Sequence, residues 1–261
     1  MSVRLLEPEF VERVWGTTRL APLFPDQPKE IGEVWFNAGP AFPVLVKFIF
    51  TSQRLSVQVH PKDAYARQAE NSRGKTEMWH ILAAEPGATI ALGFNEPQTT
   101  DSLRAAIADG SVEKLLNWVP VKPGDTYFAE AGTVHAIGAG ITLCEIQQNS
   151  DVTYRLYDYG RPRELHLEKG LAVADTHPYD GRRDYPIVCD HFNVDLLEID
   201  APVSCSAGCD GTLIVLEGSG AFDDTAVGAG QVALVTAGSE PVRVTPSGKL
   251  KILHAKCSSE T

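Results

Sequence analysis

Several features are scarce or missing in these 261 residues, and each absence narrows the chemistry. Positive charge is in deficit: 23 Lys and Arg against 34 Asp and Glu leave a formal net charge of −11. With no basic run and no amphipathic basic helix, the chain lacks the electrostatic footprint of a nucleic-acid-binding surface. A small anionic ligand stays compatible, because a few Lys and Arg in a cleft can dominate the local field. The five cysteines, Cys144, Cys189, Cys205, Cys209 and Cys257, are odd in number and include no C-x-x-C pair. They read as free thiols in a reducing cytosol rather than as a disulfide frame or a zinc knuckle. No apolar run is long enough to span a bilayer, and the N-terminal MSVRLLEPEFVERVWG meets charge too early for a signal peptide. The expected setting is the cytoplasm, with no membrane and no nucleic acid as partner; nothing in the sequence separates monomer from dimer.

Helical patterning is scarce as well. Asp63 to Gly74 reads as a short helix and loop, and Thr100 to Ala108, followed by a turn or two over Ser111 to Trp118, reads as a helical pair. That pair is the one substantial departure from strand-and-turn texture, so the expectation is an all-β chain with a small helical insertion at about 99–118. Phe42 to Phe50, FPVLVKFIF, is nearly continuous apolar and reads as a core strand. Gly230 to Pro241 aligns with Gly124 to His135: the two glycines are eight apart in both copies, and His135 falls opposite Pro241. Two related β-barrels are therefore expected, one with a site over residues 1–180 and a second over 187–261 without a metal site, joined by a linker around Thr176 to Arg183.

The stretch LSVQVH, Leu55 to His60, alternates apolar and polar side chains and so places Ser56, Gln58 and His60 on one face. Lys75 and Glu77 share a face on the next strand-like run, and the turns after Tyr127 deliver His135. A row of such groups turned inward is costly unless a metal, a ligand or mutual hydrogen bonds satisfy it. His60, His135, Glu77 and Gln58 suit a zinc site with an open position, and hydrogen bonding without metal is the competing reading. His80, His166, His177, His191 and His254 read as structural. Trp15, beside Gly16, lines a pocket or packs in the core. Arg155, Asp158, Arg161 and Arg163 form a basic-leaning segment, in which alternation between Tyr154 and Leu156 directs Arg155 inward, with its strand expected beside that of His135.

The runs QVHPKDAYA, GKTEMWHIL, AGTVHAIGAG, EIQQNSDVTYRLYDYGR and PRELHLEK, with IGEVWF and ERVWG nearer the start, resemble the motifs of class I mannose-6-phosphate isomerases in their short bacterial form. The likeness runs in order from about Glu12 to Lys169. It implies two cupin (jelly-roll) domains and one zinc ion per chain, with Gln58, His60, Glu77 and His135 as ligands. It further implies Arg155 and Lys75 as catalytic residues, Ser56 as a pocket serine, and Glu145 and Asp151 as acidic groups near the site. Glu145 is the expected base, with His135 or a zinc-bound water as rivals, and Trp15, Asp151 and Arg161 join Ser56 as expected substrate-binding residues. The implied reaction interconverts mannose 6-phosphate and fructose 6-phosphate through a cis-enediol. The chain departs from the short-form pattern at Glu130, where proline is usual, and at Lys62, where aspartate is common. Two rival functions are a cupin dioxygenase using iron on the two histidines and the carboxylate, against which Gln58 as a fourth ligand and Lys75 beside Glu77 speak, and a sugar-binding cupin without turnover.

Overall fold

The computed structural model describes residues 3–205 and 208–258, and strands dominate it. Four antiparallel sheets carry the architecture. Sheet I orders its strands as Glu9–Thr17, Ile31–Phe36, Val44–Thr51, Ile141–Gln148, Glu77–Ala84 and Thr126–Ala129. Sheet II runs Tyr154–Tyr157, Val57–Val59, His135–Ile137, Thr89–Phe94 and Leu116–Pro120. Sheet III holds Val3–Leu5, Val232–Val235, Gly211–Glu217, Leu250–Cys257, Phe192–Ile199 and Ile187–Val188, and sheet IV the remaining four strands between Val203 and Pro246.

The period-two alternation of each strand explains how these sheets stack. On Val44–Thr51, the side chains of Val44, Val46, Phe48 and Phe50 join Ile214, Leu253 and Ala255 of sheet III in one core. Ile49 turns the other way and packs with Trp79 of sheet I and Ile90 and Leu92 of sheet II. A strand buried on both faces reads as a continuous apolar run, which is why FPVLVKFIF does. The outer face of sheet II meets helices Thr100–Asp109 and Leu167–Val173 through Val57, Val59, Leu103, Ile107 and Leu171. Sheets III and IV enclose a separate apolar core containing Leu213, Val215, Phe222, Val244 and Ile252. The glycines matched by the internal alignment share left-handed conformations: φ is 87° at Gly124 and 86° at Gly230, 102° at Gly132 and 73° at Gly238.

Three local expectations change. Ser111–Lys114 is a single 3-10 turn, and Leu116–Pro120 is a strand on the edge of sheet II rather than more helix, because pairing with Thr89–Phe94 overrides local helical preference. Leu167–Val173 is a helix that the sequence reading leaves out. Its Gly170 lets it approach sheet II, where an added Cβ would come within 2.3 Å of Leu156 Cδ2. The expected linker instead lies against the first pair of sheets, with bridges from Asp175 to Thr133, Pro178 to Phe94 and Arg182 to Tyr127. Val3–Leu5, at the start of the chain, pairs with Val232–Val235 in sheet III.

Candidate active site

Between sheets I and II the inner faces carry charge instead of hydrocarbon at one end. Ser56, Gln58 and His60 project there because Val57 and Val59 point into the opposite, apolar cluster. His135 is the direct cross-strand partner of Gln58. From sheet I comes Glu77, paired in register with Gln147, and one row along lies the line Trp35, Lys47, Glu145, Trp79 and Tyr127, each the cross-strand partner of the next.

His60, Glu77 and His135 are each 1% exposed and converge, with ligand atoms within 4.8 Å of one another. Glu77 Oε1 lies 3.3 Å from His135 Nε2, and Glu77 Oε2 lies 3.6 Å from His60 Nε2. Each ring is oriented by its other nitrogen: His60 Nδ1 donates to the Val152 carbonyl and His135 Nδ1 to the Thr133 carbonyl, both at 2.9 Å. Both Nε2 atoms therefore present lone pairs to the Glu77 carboxylate. The Gln58 amide stands 3.2 Å from His135 Nε2. The Lys75 ammonium lies 3.1 Å from both His60 Nε2 and Glu77 Oε2. Burial, helped by Lys75, holds His60 well below the usual imidazole range, and burial takes His135 down to about 4. Both imidazoles are neutral near pH 7, the form a metal needs. Glu77 Oε2 is buried without a hydrogen bond of good geometry. Converging lone pairs around a buried carboxylate are the donor set of a cation site, so the residues fit a divalent metal.

Above this cluster lies a cavity of about 440 Å³ lined by Trp15, Ser56, Gln58, Lys75, Glu145 and Arg155, among others. Five cations (Arg13, Lys47, Lys75, Arg155, Arg163) and four carboxylates (Glu12, Glu33, Glu145, Asp151) share its wall. Lys47 is sandwiched between Glu145 at 3.5 Å and Glu33 at 3.9 Å, over the Trp35 ring at 4.4 Å. Glu33 also accepts from Arg13 Nε at 3.0 Å. Glu145 Oε2 accepts from Trp79 Nε1 at 3.0 Å, whereas its Oε1, the oxygen that faces Lys47, has no hydrogen bond among the described residues. Burial first, then repulsion from Glu77, pushes the Glu145 carboxyl above its ordinary range, against the pull of Lys47 and Lys75. Burial opposes the charge on Lys75, but Glu77 and Glu145 prevail and raise it.

Two expected placements differ. The strand of Arg155 pairs with that of Gln58, not with that of His135, so Arg155 opposes Gln58 across the ladder. Arg161 is not among the residues lining the cavity. Its guanidinium is held by Asp158 and by the Arg54 carbonyl, and Arg163, two residues on, reaches the cavity. Arg13, Glu33 and Lys47 were not singled out from the sequence. The available signal was Lys47 itself, the one charge inside FPVLVKFIF, on a strand buried along its whole length.

The comparisons with known proteins point one way. No family model matches the chain. Mannose-6-phosphate isomerase ManA of Bacillus subtilis is 40% identical over 212 residues, 65% of this chain and 67% of the relative. Mannose-6-phosphate isomerase of Streptococcus mutans is 46% identical over 138 residues, 51% of this chain and 43% of the relative. The chain belongs to the mannose-6-phosphate isomerase family. The crystal structure of the mannose 6-phosphate isomerase from Bacillus subtilis superposes with a TM-score of 0.86 at 28% identity, covering 98% of this chain and 99% of that one. The sheets described above are thus the mostly-β, cupin-type fold of the mannose-6-phosphate isomerases, and the chain is an isomerase with a possible three-residue metal site. No described helix is long and apolar enough to cross a membrane.

Proposed function

We propose that this isomerase interconverts mannose 6-phosphate and fructose 6-phosphate, using one zinc ion held by Gln58, His60, Glu77 and His135. The observation that carries the reading is a cation-site donor set beneath a cavity whose wall holds five cations, in a chain of net charge −11. Neutral imidazoles and a carboxylate suit zinc, and when bound it supplies Lewis acidity toward the oxygens on C1 and C2 of the open-chain sugar.

The side chains supply the rest. Glu145 is the base that moves the proton between C1 and C2: it lines the cavity and its raised pKa strengthens it. Trp79 Nε1 fixes the carboxylate through Oε2, and Oε1, which faces the Lys47 ammonium at 3.5 Å without a hydrogen bond among the described residues, takes the proton. Arg155 stabilises the developing enediolate, and Lys75 balances its charge and protonates oxygen. Ser56, Trp15 and Asp151, all on the cavity wall, contact the sugar. We read residues 1–180, apart from the Val3–Leu5 strand that pairs into sheet III, as the catalytic unit and 187–261 as a metal-free second cupin unit whose apolar interior serves structure. Five free thiols favour a cytoplasmic setting.

A coupled assay of fructose 6-phosphate formation from mannose 6-phosphate, run in deuterated water, tests the reading. Turnover with solvent deuterium entering at the transferred position supports it. Oxygen uptake with iron, or tight sugar-phosphate binding without turnover, contradicts it.

A further inference from the structure

The loop after Tyr154–Tyr157 contains a buried carboxylate that the chemistry above does not use. Asp158 is 2% exposed and does not line the cavity; it lies between two guanidinium groups. Arg163 grips it as a fork, with Nε to Oδ2 at 2.5 Å and Nη2 to Oδ1 at 2.7 Å. Arg161 donates from Nε to Oδ1 at 3.0 Å and from Nη2 to the Arg54 carbonyl at 2.8 Å. The chain doubles back over Asp158 because Tyr159 adopts a left-handed φ of 54° and Gly160 follows at 77°.

The two arginines differ in where they lie. Arg161 spends Nε and Nη2 on Asp158 and the Arg54 carbonyl and stays out of the cavity. Arg163 spends Nε and Nη2 on Asp158, lines the cavity with Arg155 and Ser56, and its Nη1 makes no hydrogen bond among the described residues. Its side chain is 26% exposed, against 4% for Lys47 and Glu145, which puts it at the rim rather than beside the metal ligands. Three arginines, 155, 161 and 163, crowd this segment, and repulsion would drive Arg163 toward solvent without a compensating charge. A guanidinium already locked by a fork loses little freedom when it binds an anion.

We propose that Asp158 is a positioning residue that holds Arg163 at the cavity rim so that its Nη1 donors bind the phosphate of the substrate. This rests on the sugar-phosphate reading given above. Asp158→Asn keeps the shape and removes the charge that aims Arg163. The expected result is a rise of about tenfold in KM for mannose 6-phosphate, with kcat within about threefold, and a parallel rise in the Ki of inorganic phosphate. Arg163→Ala should give the same pattern, and the double variant should be no worse than Arg163→Ala alone. A purely structural Asp158 would lower the melting temperature and the active fraction but leave KM and Ki alone, and that result overturns the proposal, as does additivity in the double variant. If Asp158→Asn does not fold, Arg163→Lys decides. It keeps the charge but cannot both span the two Asp158 oxygens and face the cavity, so KM and Ki must rise, and wild-type values overturn the proposal. Inorganic phosphate binding to the wild type, followed by calorimetry, separates the two readings: bound phosphate without isomerase turnover means that the function is misassigned rather than the anion site.

Discussion

Replacing Arg155 with alanine separates catalysis from stability at one position. The residue stands opposite Gln58 in the ladder and lines the cavity, yet its only side-chain hydrogen bond among the described residues runs from Nη1 to the Glu164 carbonyl at 2.8 Å. Asp158, the obvious ion-pair partner, is already engaged by Arg161 and Arg163. Losing Arg155 therefore removes one exposed hydrogen bond, worth about 1 kcal/mol, and shifts the melting temperature by roughly 2–4 °C. If its guanidinium stabilises the enediolate, the transition state loses about 3 kcal/mol, on the order of a hundredfold in kcat. KM should change much less, because the contact strengthens as charge develops. Lysine at this position should recover little, since it lacks the planar fork that spans two oxygens. The assay is kcat at saturating mannose 6-phosphate on purified Arg155→Ala of wild-type metal content. A kcat within a factor of about three of wild type, whatever the melting temperature, refutes the catalytic role.

Two further predictions concern stability. Burial holds His80 and His254 down to about 4, against about 6.5 in an unfolded chain, so both are neutral in either state above pH 6.5. As pH falls from 6.5 to 4 the unfolded chain takes up protons that the folded one refuses, and stability drops by up to about 3 kcal/mol per histidine. Urea unfolding at stepped pH should show that decline, and His254→Asn should make it shallower; an unchanged slope counts against the burial argument. Lys47→Met removes the nearest cation from the buried carboxylate of Glu145, while Glu33 keeps Arg13, and should cost about 3 kcal/mol of unfolding free energy, part of which Glu145→Gln restores in the double variant. Independent, additive losses in the denaturation curves would show that the three groups do not form one network.

What was legible in the sequence was local. Alternation in Leu55 to His60 places Gln58 and His60 on one face because a strand has no other periodicity, and Glu77 and His135 then arrive at the same interior from their own strands. The order of strands is a long-range property, so the neighbour of Arg155 could not be read from its own segment. Nor could the choice between Arg161 and Arg163, which depends on a left-handed turn at Tyr159 and on which side of Asp158 each guanidinium lands. Lys47 was concealed by its surroundings: a doubly buried strand reads as apolar throughout, and one inward lysine looks like noise until Glu33 and Glu145 are seen on either side of it. The helix Leu167–Val173 was missed because it is short and centred on a glycine, a poor helix former that is placed there for close packing.

The central claim is that a metal held by Gln58, His60, Glu77 and His135 drives the isomerisation, and elemental analysis of wild type and His135→Ala alongside the mannose 6-phosphate assay tests it most directly. The account predicts one zinc per chain in the active wild type, and loss of both zinc and turnover in His135→Ala. Full zinc occupancy in His135→Ala, or undiminished turnover by wild-type protein stripped of metal, would contradict it.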